Sequence, residues 1–171
     1  MIGDYLLPAS IRSQAFIAGG FAACPALASD IDLWVSSKNL FADRLDILAW
    51  LQQWGASFVE HPLPLVPALT EVDYQESYLS NGTPVLKVAT VTVPHHSKPV
   101  HIMVVMGDVN LTLAGFDIST HQVALTDNGV VLGPQWTSIL VPPVMLLETA
   151  NTRARLDKIA RRYGHISEEL F

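Results

Sequence analysis

The stretch that most constrains this chain runs from Phe16 to Val35, F-I-A-G-G-F-A-A-C-P-A-L-A-S-D-I-D-L-W-V. Ala15 to Ala18 is a short apolar run closed by Gly19-Gly20, the pattern of a buried strand that turns sharply. Phe21 to Leu27 suits a helix starting at that turn, and Pro25 keeps it short because proline lacks a backbone donor and clashes with the turn before it. Ile31 to Ser36 alternates as a half-buried strand does, with Ile31, Leu33 and Val35 on one face and Asp32 and Trp34 on the other. Asp30 and Asp32 then point the same way, their Cβ atoms about 7 Å apart. That is close enough to share a divalent ion, and too close for both to ionise without cost in its absence. The glycines let backbone N–H groups approach a phosphate with no Cβ in the way, and the helix end beyond them favours an anion. Magnesium is held by few carboxylates together with phosphate oxygens, so the composite suits a metal-bound nucleoside triphosphate.

Gly19-Gly20-Phe21 followed by Ser29-Asp30-Ile31-Asp32-Leu33 resembles the signature of the nucleotidyltransferase fold superfamily, the group related to DNA polymerase beta. The resemblance implies an α/β (α+β) fold with a mixed β-sheet and flanking helices. It also implies Mg²⁺ or Mn²⁺ as cofactor and transfer of a nucleoside monophosphate from an NTP to a hydroxyl of RNA, protein or a small molecule. Under it, Gly19, Gly20 and Ser29 bind the nucleotide, Asp30 and Asp32 are catalytic metal ligands, and a later strand brings a third acid. The apolar frame Val100-His101-Ile102-Met103-Val104-Val105 places His101 where that acid would stand. A histidine there can take the attacking hydroxyl's proton or supply one ligand, but it brings no negative charge. Asp117, on an expected neighbouring strand, and Asp108, just past the strand end, are the substitute acids, with Asp117 the candidate metal ligand. Phe116-Asp117-Ile118 through His121-Gln122-Val123-Ala124, with the basic run Arg153 to Tyr163, further resembles uncharacterised phage and viral nucleotidyltransferase-like proteins. The alternative function is a catalytically degenerate member of the fold that binds nucleotide, nucleic acid or a protein partner.

The remainder of the chain fills out such a domain. Pro8 to Arg12 can open a short helix. Leu40 to Trp54 reads as a helix capped by Asn39 or Ser37 and ended by Gly55, with Leu40, Phe41, Arg44, Leu45, Leu48, Leu51 and Gln52 at three- and four-residue spacing. Trp50 and Trp54 on it read as core or groove packing. Ser57 onward is a strand, followed by irregular chain around Pro62, Pro64 and Pro67. Asp73–Leu79 and Val85–Val93 flank Asn81-Gly82 as a hairpin. Val100–Met106 is a strand, Leu111–Phe116 a helical turn or two, and Asp117–Thr126 a strand turning at Asp127-Asn128-Gly129 into Val130–Leu132. Pro142–Ala150 reads as helical, and Thr152 to Tyr163 as a basic helix ended by Gly164.

Charge is unevenly distributed. The formal net charge is −6, which argues against a protein that coats nucleic acid non-specifically. Yet five of the ten lysines and arginines fall between Arg153 and Arg162, and Arg155, Lys158 and Arg162 share one helix face that can grip triphosphate or nucleic-acid phosphates, or simply be solvated. His95, His96, His101 and His121 match no zinc spacing. Cys24 is the one cysteine, a small buried hydrophobe that excludes an internal disulfide. No apolar run approaches the roughly twenty residues of a membrane helix, and the N-terminus carries no secretory signal pattern. A single cytoplasmic domain with no membrane association is the expectation, with a nucleoside triphosphate as ligand and its oligomeric state open.

Overall fold

The computed structural model describes residues 2–63, 79–94 and 98–170, the last eight by their backbone. Seven strands form one mixed sheet: β1 Ala15–Ala18, β2 Ile31–Ser36, β3 Ser57–Glu60, β4 Val85–Thr92, β5 Val100–Val105, β6 Val123–Thr126 and β7 Gly129–Leu132. Their order is β3-β4-β5-β2-β1-β6-β7. Only β2 and β5 pair in parallel. The helices are α1 Gly3–Leu6, α2 Gly20–Ala23, α3 Leu40–Trp54, α4 Val109–Ala114 and α5 Ala150–Leu170. This is the expected α+β architecture. Among the described residues no helix is long and apolar enough to cross a membrane.

Both faces of the central strand β2 carry packed side chains. Ile31, Leu33 and Val35 pack with Ile102 and Val104 of β5 against α3 and α1. Trp34 packs on the opposite side with Phe16, Met103, Val105 and Leu113. Its ring lies 6.5 Å from Phe16 and 5.3 Å from Phe116. That second side carries the pocket described below. It is closed at one end by α5, whose Ile159 packs with Cys24 and Ile118.

The helix α3 has the expected bounds for the expected reasons. Asn39 Oδ1 accepts the Ala42 N–H at 3.1 Å, and Gly55, at φ 75°, turns its own N–H back on the last carbonyls. Its buried stripe is Leu40, Arg44, Ile47 and Leu51. Phe41 and Leu45, expected on that face, are exposed, because the contact with the sheet is one stripe narrower than the apolar spacing allows. Arg44 is tolerated there by Glu60 at 2.8 Å and the His61 carbonyl at 3.1 Å, which tie α3 to the end of β3. Trp50 donates its indole N–H to the Tyr5 carbonyl at 3.1 Å, whereas Trp54, 5.8 Å from the Tyr5 ring, is 47% exposed instead of packed in the core or a groove.

Four expectations are corrected. Pro8 to Arg12 is a turn, closed by Ile11 N–H on the Pro8 carbonyl at 3.1 Å, and the helical turn that follows is a 3₁₀ turn at Arg12–Gln14. Asp117–Thr126 is a strand only from Val123. Upstream, Ile118 bridges Met145, Ser119 N–H bonds the Val144 carbonyl at 3.0 Å, and Ser119–His121 is a 3₁₀ turn. The same pairing holds residues 142–148 as irregular, non-helical chain. Thr149 Oγ1 then caps α5 by accepting the Thr152 N–H at 3.0 Å. Finally, α5 runs through Gly164 to Leu170. The turn at Asn81-Gly82 is present, with Gly82 at φ 81°. Most of the strand expected before it, and the chain around Pro64 and Pro67, lie outside the described residues. Because Ile47 is fully buried and Leu45 is 63% exposed, Ile47→Ala is expected to cost about 2–5 kcal/mol and Leu45→Ala less than about 0.5 kcal/mol, measured by urea unfolding.

Candidate metal centre

The parallel register of β2 on β5 sets Asp32 opposite His101 and Trp34 opposite Met103, so all four share the pocket side of the sheet. Asp30 precedes β2, and its Oδ2 lies 3.3 Å from His101 Nε2. One ligand atom from each of Asp30, Asp32 and His101 falls within 4.8 Å of the others. β1 runs antiparallel beside β2, and its exit turn comes over the group. Gly19 sits at φ 91°, ψ −145°, a conformation that glycine alone adopts without strain, and a Cβ there would stand 3.5 Å from Asp32 Oδ2. The helix beyond the turn is only four residues long, so the clearance left by the glycine, more than any helix field, is what the turn contributes.

The two carboxylates are not equivalent. The hydrogen bond to His101 holds Asp30 below its ordinary value and His101 above its own. Asp32 is pushed up to about 6, first by desolvation and then by the neighbouring Asp30. Among the described residues no hydrogen-bond donor reaches the Asp32 carboxylate, although burial makes such a partner valuable. Two carboxylates and an imidazole whose ligand atoms lie within 4.8 Å of one another could hold a divalent cation.

A bulge shapes the far side of the centre. Lys87 pairs with Met103 and Thr90 with His101, while the register shifts between Lys87 and Ala89. Residues three apart on a regular strand point to opposite faces, and the extra residue Val88 brings both to the pocket side. Thr90 Oγ1 lies 3.0 Å from His101 Nδ1, and 2.8 Å from His61 Nε2. Lys87, Thr90 and His61 carry no motif in the sequence.

Of the expected nucleotide-binding residues, all but Gly19 line one cavity. It measures about 630 Å³ and is lined by Gly20, Ser29, Asp30, Asp32 and His101, with Lys87, Arg155, Lys158 and Arg162 as its cations. Arg162 Nη2 donates to Ser29 Oγ at 3.4 Å. The other two cations of the basic run do not line the cavity. Arg153 pairs with Glu148 at 3.0 Å, and Arg161 is exposed. Asp117 lines the cavity but stands apart from the three-residue group. Arg155 Nη1 bonds both its oxygens at 3.0 Å and Thr152 Oγ1 donates to it at 2.6 Å, so it positions a cation of α5 instead of standing as a third acid beside Asp30 and Asp32. Asp108 caps α4 through the Leu111 N–H at 2.8 Å. His121 lies behind Gly20, and burial, followed by the charge of Arg155, lowers its value to about 4, which keeps it neutral. His95 and His96 lie outside the described residues.

The chain matches no protein-family model and no curated protein.

The protonation balance sets a sign for metal binding. Asp32, titrating near 6, and His101, raised above its usual range, both hold protons at pH 5 that a cation must displace. The Mn²⁺ affinity and the Mn²⁺-induced rise in Tm are therefore expected to grow between pH 5 and pH 7.5. Without metal the sign reverses for Asp32. Its raised value stabilises the fold fully below the unfolded value of 3.8, and that contribution is lost as pH rises through about 6. Asp32→Asn should accordingly stabilise the metal-free protein at pH 7 by about 2 kcal/mol, while abolishing the metal-induced rise in Tm. Thermal unfolding of both proteins with and without Mn²⁺ checks both statements.

Proposed function

We propose that this chain is a metal-dependent nucleotidyltransferase of the polymerase-beta-like superfamily, acting in the cytoplasm and moving a nucleoside monophosphate from an NTP to a hydroxyl acceptor. The observation that carries this is a single cavity in which a carboxylate without a donor and its acidic neighbour face four cations. Its size suits a nucleotide, and its two charge signs match the two parts of a metal–triphosphate complex. Glycines at the strand exit and the resemblance of Gly19-Gly20 with Asp30-Ile31-Asp32 to the superfamily signature support the same conclusion.

Asp30, Asp32 and His101 would hold Mg²⁺ or Mn²⁺, which when bound offsets phosphate charge and acidifies a nearby hydroxyl. Arg155, Lys158, Arg162 and Lys87 would bear the remaining charge of the triphosphate, with Arg155 oriented by Asp117 and Arg162 beside Ser29. Gly19 and Gly20 leave room for the phosphates. In the reaction the acceptor oxygen bonds to the α-phosphorus, the bond from that phosphorus to the bridging oxygen breaks, and pyrophosphate leaves with the bond's electrons. The hydroxyl, acidified by the metal, gives its proton to water at the open side of the cavity. The acceptor is RNA, a protein or a small molecule.

A second reading rests on His101. The centre has two carboxylates and an imidazole where three acids would be expected, and Asp117 and Asp108 are engaged elsewhere. A protein that binds nucleotide, nucleic acid or a protein partner without turnover fits that charge deficit. Incubation with each α-labelled NTP, Mg²⁺ or Mn²⁺, and RNA or protein acceptors separates the two. Enzymatic transfer predicts label on an acceptor, lost by about 100-fold or more in Asp30→Ala and Asp32→Ala, and a KM for NTP raised about 10-fold in Lys158→Ala. Equal labelling in wild type and the aspartate variants overturns the site. Metal-dependent NTP binding without transfer to any acceptor establishes the second reading.

A further inference from the structure

The donor set differs in kind from an all-oxygen site. Mg²⁺ prefers carboxylate, phosphate and water oxygens and dehydrates reluctantly, whereas imidazole nitrogen suits the first-row transition ions. His101 is also oriented as a ligand. A donating Nε2 needs its lone pair, so the neutral ring must carry its proton on Nδ1, and Nδ1 faces Thr90 Oγ1 at 3.0 Å. The threonine hydroxyl accepts that N–H and can donate its own O–H to His61 Nε2 at 2.8 Å. His61 is fixed in turn, with its backbone N–H on the Val88 carbonyl at 2.9 Å and its carbonyl accepting from Arg44. The bulge that turns Thr90 toward His101 thus also anchors the far end of the chain of bonds. A hydrogen-bonded partner on the second nitrogen is the usual support of a metal-bound histidine.

We propose that Asp30, Asp32 and His101 form a single-ion site selective for a first-row transition dication such as Mn²⁺ over Mg²⁺, with Thr90 and His61 as positioning residues that fix His101 as an Nε2 donor. This rests on the metal centre proposed above and specifies its ion.

Calorimetric titration of the whole protein with Mn²⁺ and with Mg²⁺ at pH 7.5 tests it, with ¹⁵N imidazole shifts as an independent readout. Wild type is expected to bind Mn²⁺ about 30-fold tighter than Mg²⁺, and His101→Asp to reduce that ratio to about 3-fold by gaining Mg²⁺ affinity. Thr90→Val should weaken Mn²⁺ about 10-fold in wild type and leave the ratio of the His101→Asp protein unchanged. With diamagnetic Zn²⁺ bound, the His101 ring should show the Nδ1–H tautomer, and substoichiometric Mn²⁺ added to the metal-free protein should broaden its Nε2 signal. An equal Mn²⁺/Mg²⁺ ratio in wild type and His101→Asp, or an unbroadened Nε2, overturns the selectivity while leaving the centre standing. Binding of neither ion overturns the centre and the selectivity together.

Discussion

The parallel pairing of β2 with β5 is the constraint on which the rest of this structure depends. It alone sets Asp32 opposite His101, and a slip of one residue would carry the imidazole to the opposite face, into the layer occupied by Ile102 and Val104. Parallel neighbours need a long crossover, and among the described residues this one includes α3, β3 and β4. The same excursion that makes the pairing possible therefore delivers Lys87 to the pocket, and Thr90 with His61 to the Nδ1 side of His101. β1, antiparallel on the other side of β2, completes the arrangement by bringing Gly19 above Asp32.

The centre opposes stability locally while the other face of the sheet supplies it. Asp30 and Asp32 repel each other, and desolvation penalises the ionised Asp32 further. Directly behind them Leu33, Val35, Ile102 and Val104 are fully buried against α3. The division fits a site that waits for a ligand, with rigidity from the apolar layer and unmet electrostatic demand on the pocket layer. Two of the cations of α5 that line the pocket have partners of their own, Asp117 for Arg155 and Ser29 for Arg162.

What is legible in the sequence is what local chemistry decides. The strand Ala15–Ala18, the glycine turn, the alternation that puts Asp32 and Trp34 on one side of β2, and the helix between Asn39 and Gly55 all follow from neighbours a few residues apart. The shared face of Arg155, Lys158 and Arg162 follows from helical period in the same way. Long-range pairing decides the rest. Phe116 to Thr126 has the composition of one strand, yet residues 117–119 pair with 144–146 and leave the sheet, which takes Asp117 from strand to loop and hands it to Arg155. Lys87 and Thr90 reach one face only through the bulge at Val88, which breaks the two-residue period without leaving a mark in composition. His61 meets Thr90 across 29 residues of chain, at a distance no motif records.

The central claim is that the ligand atoms of Asp30, Asp32 and His101 enclose a cation. Crystals grown with Mn²⁺ and measured on both sides of the manganese absorption edge test it most directly. One anomalous peak is expected, bonded to a carboxylate oxygen of each aspartate and to His101 Nε2, with Thr90 Oγ1 still on Nδ1. Ordered protein with no anomalous density at that point, or with manganese bound only at other residues, would contradict it.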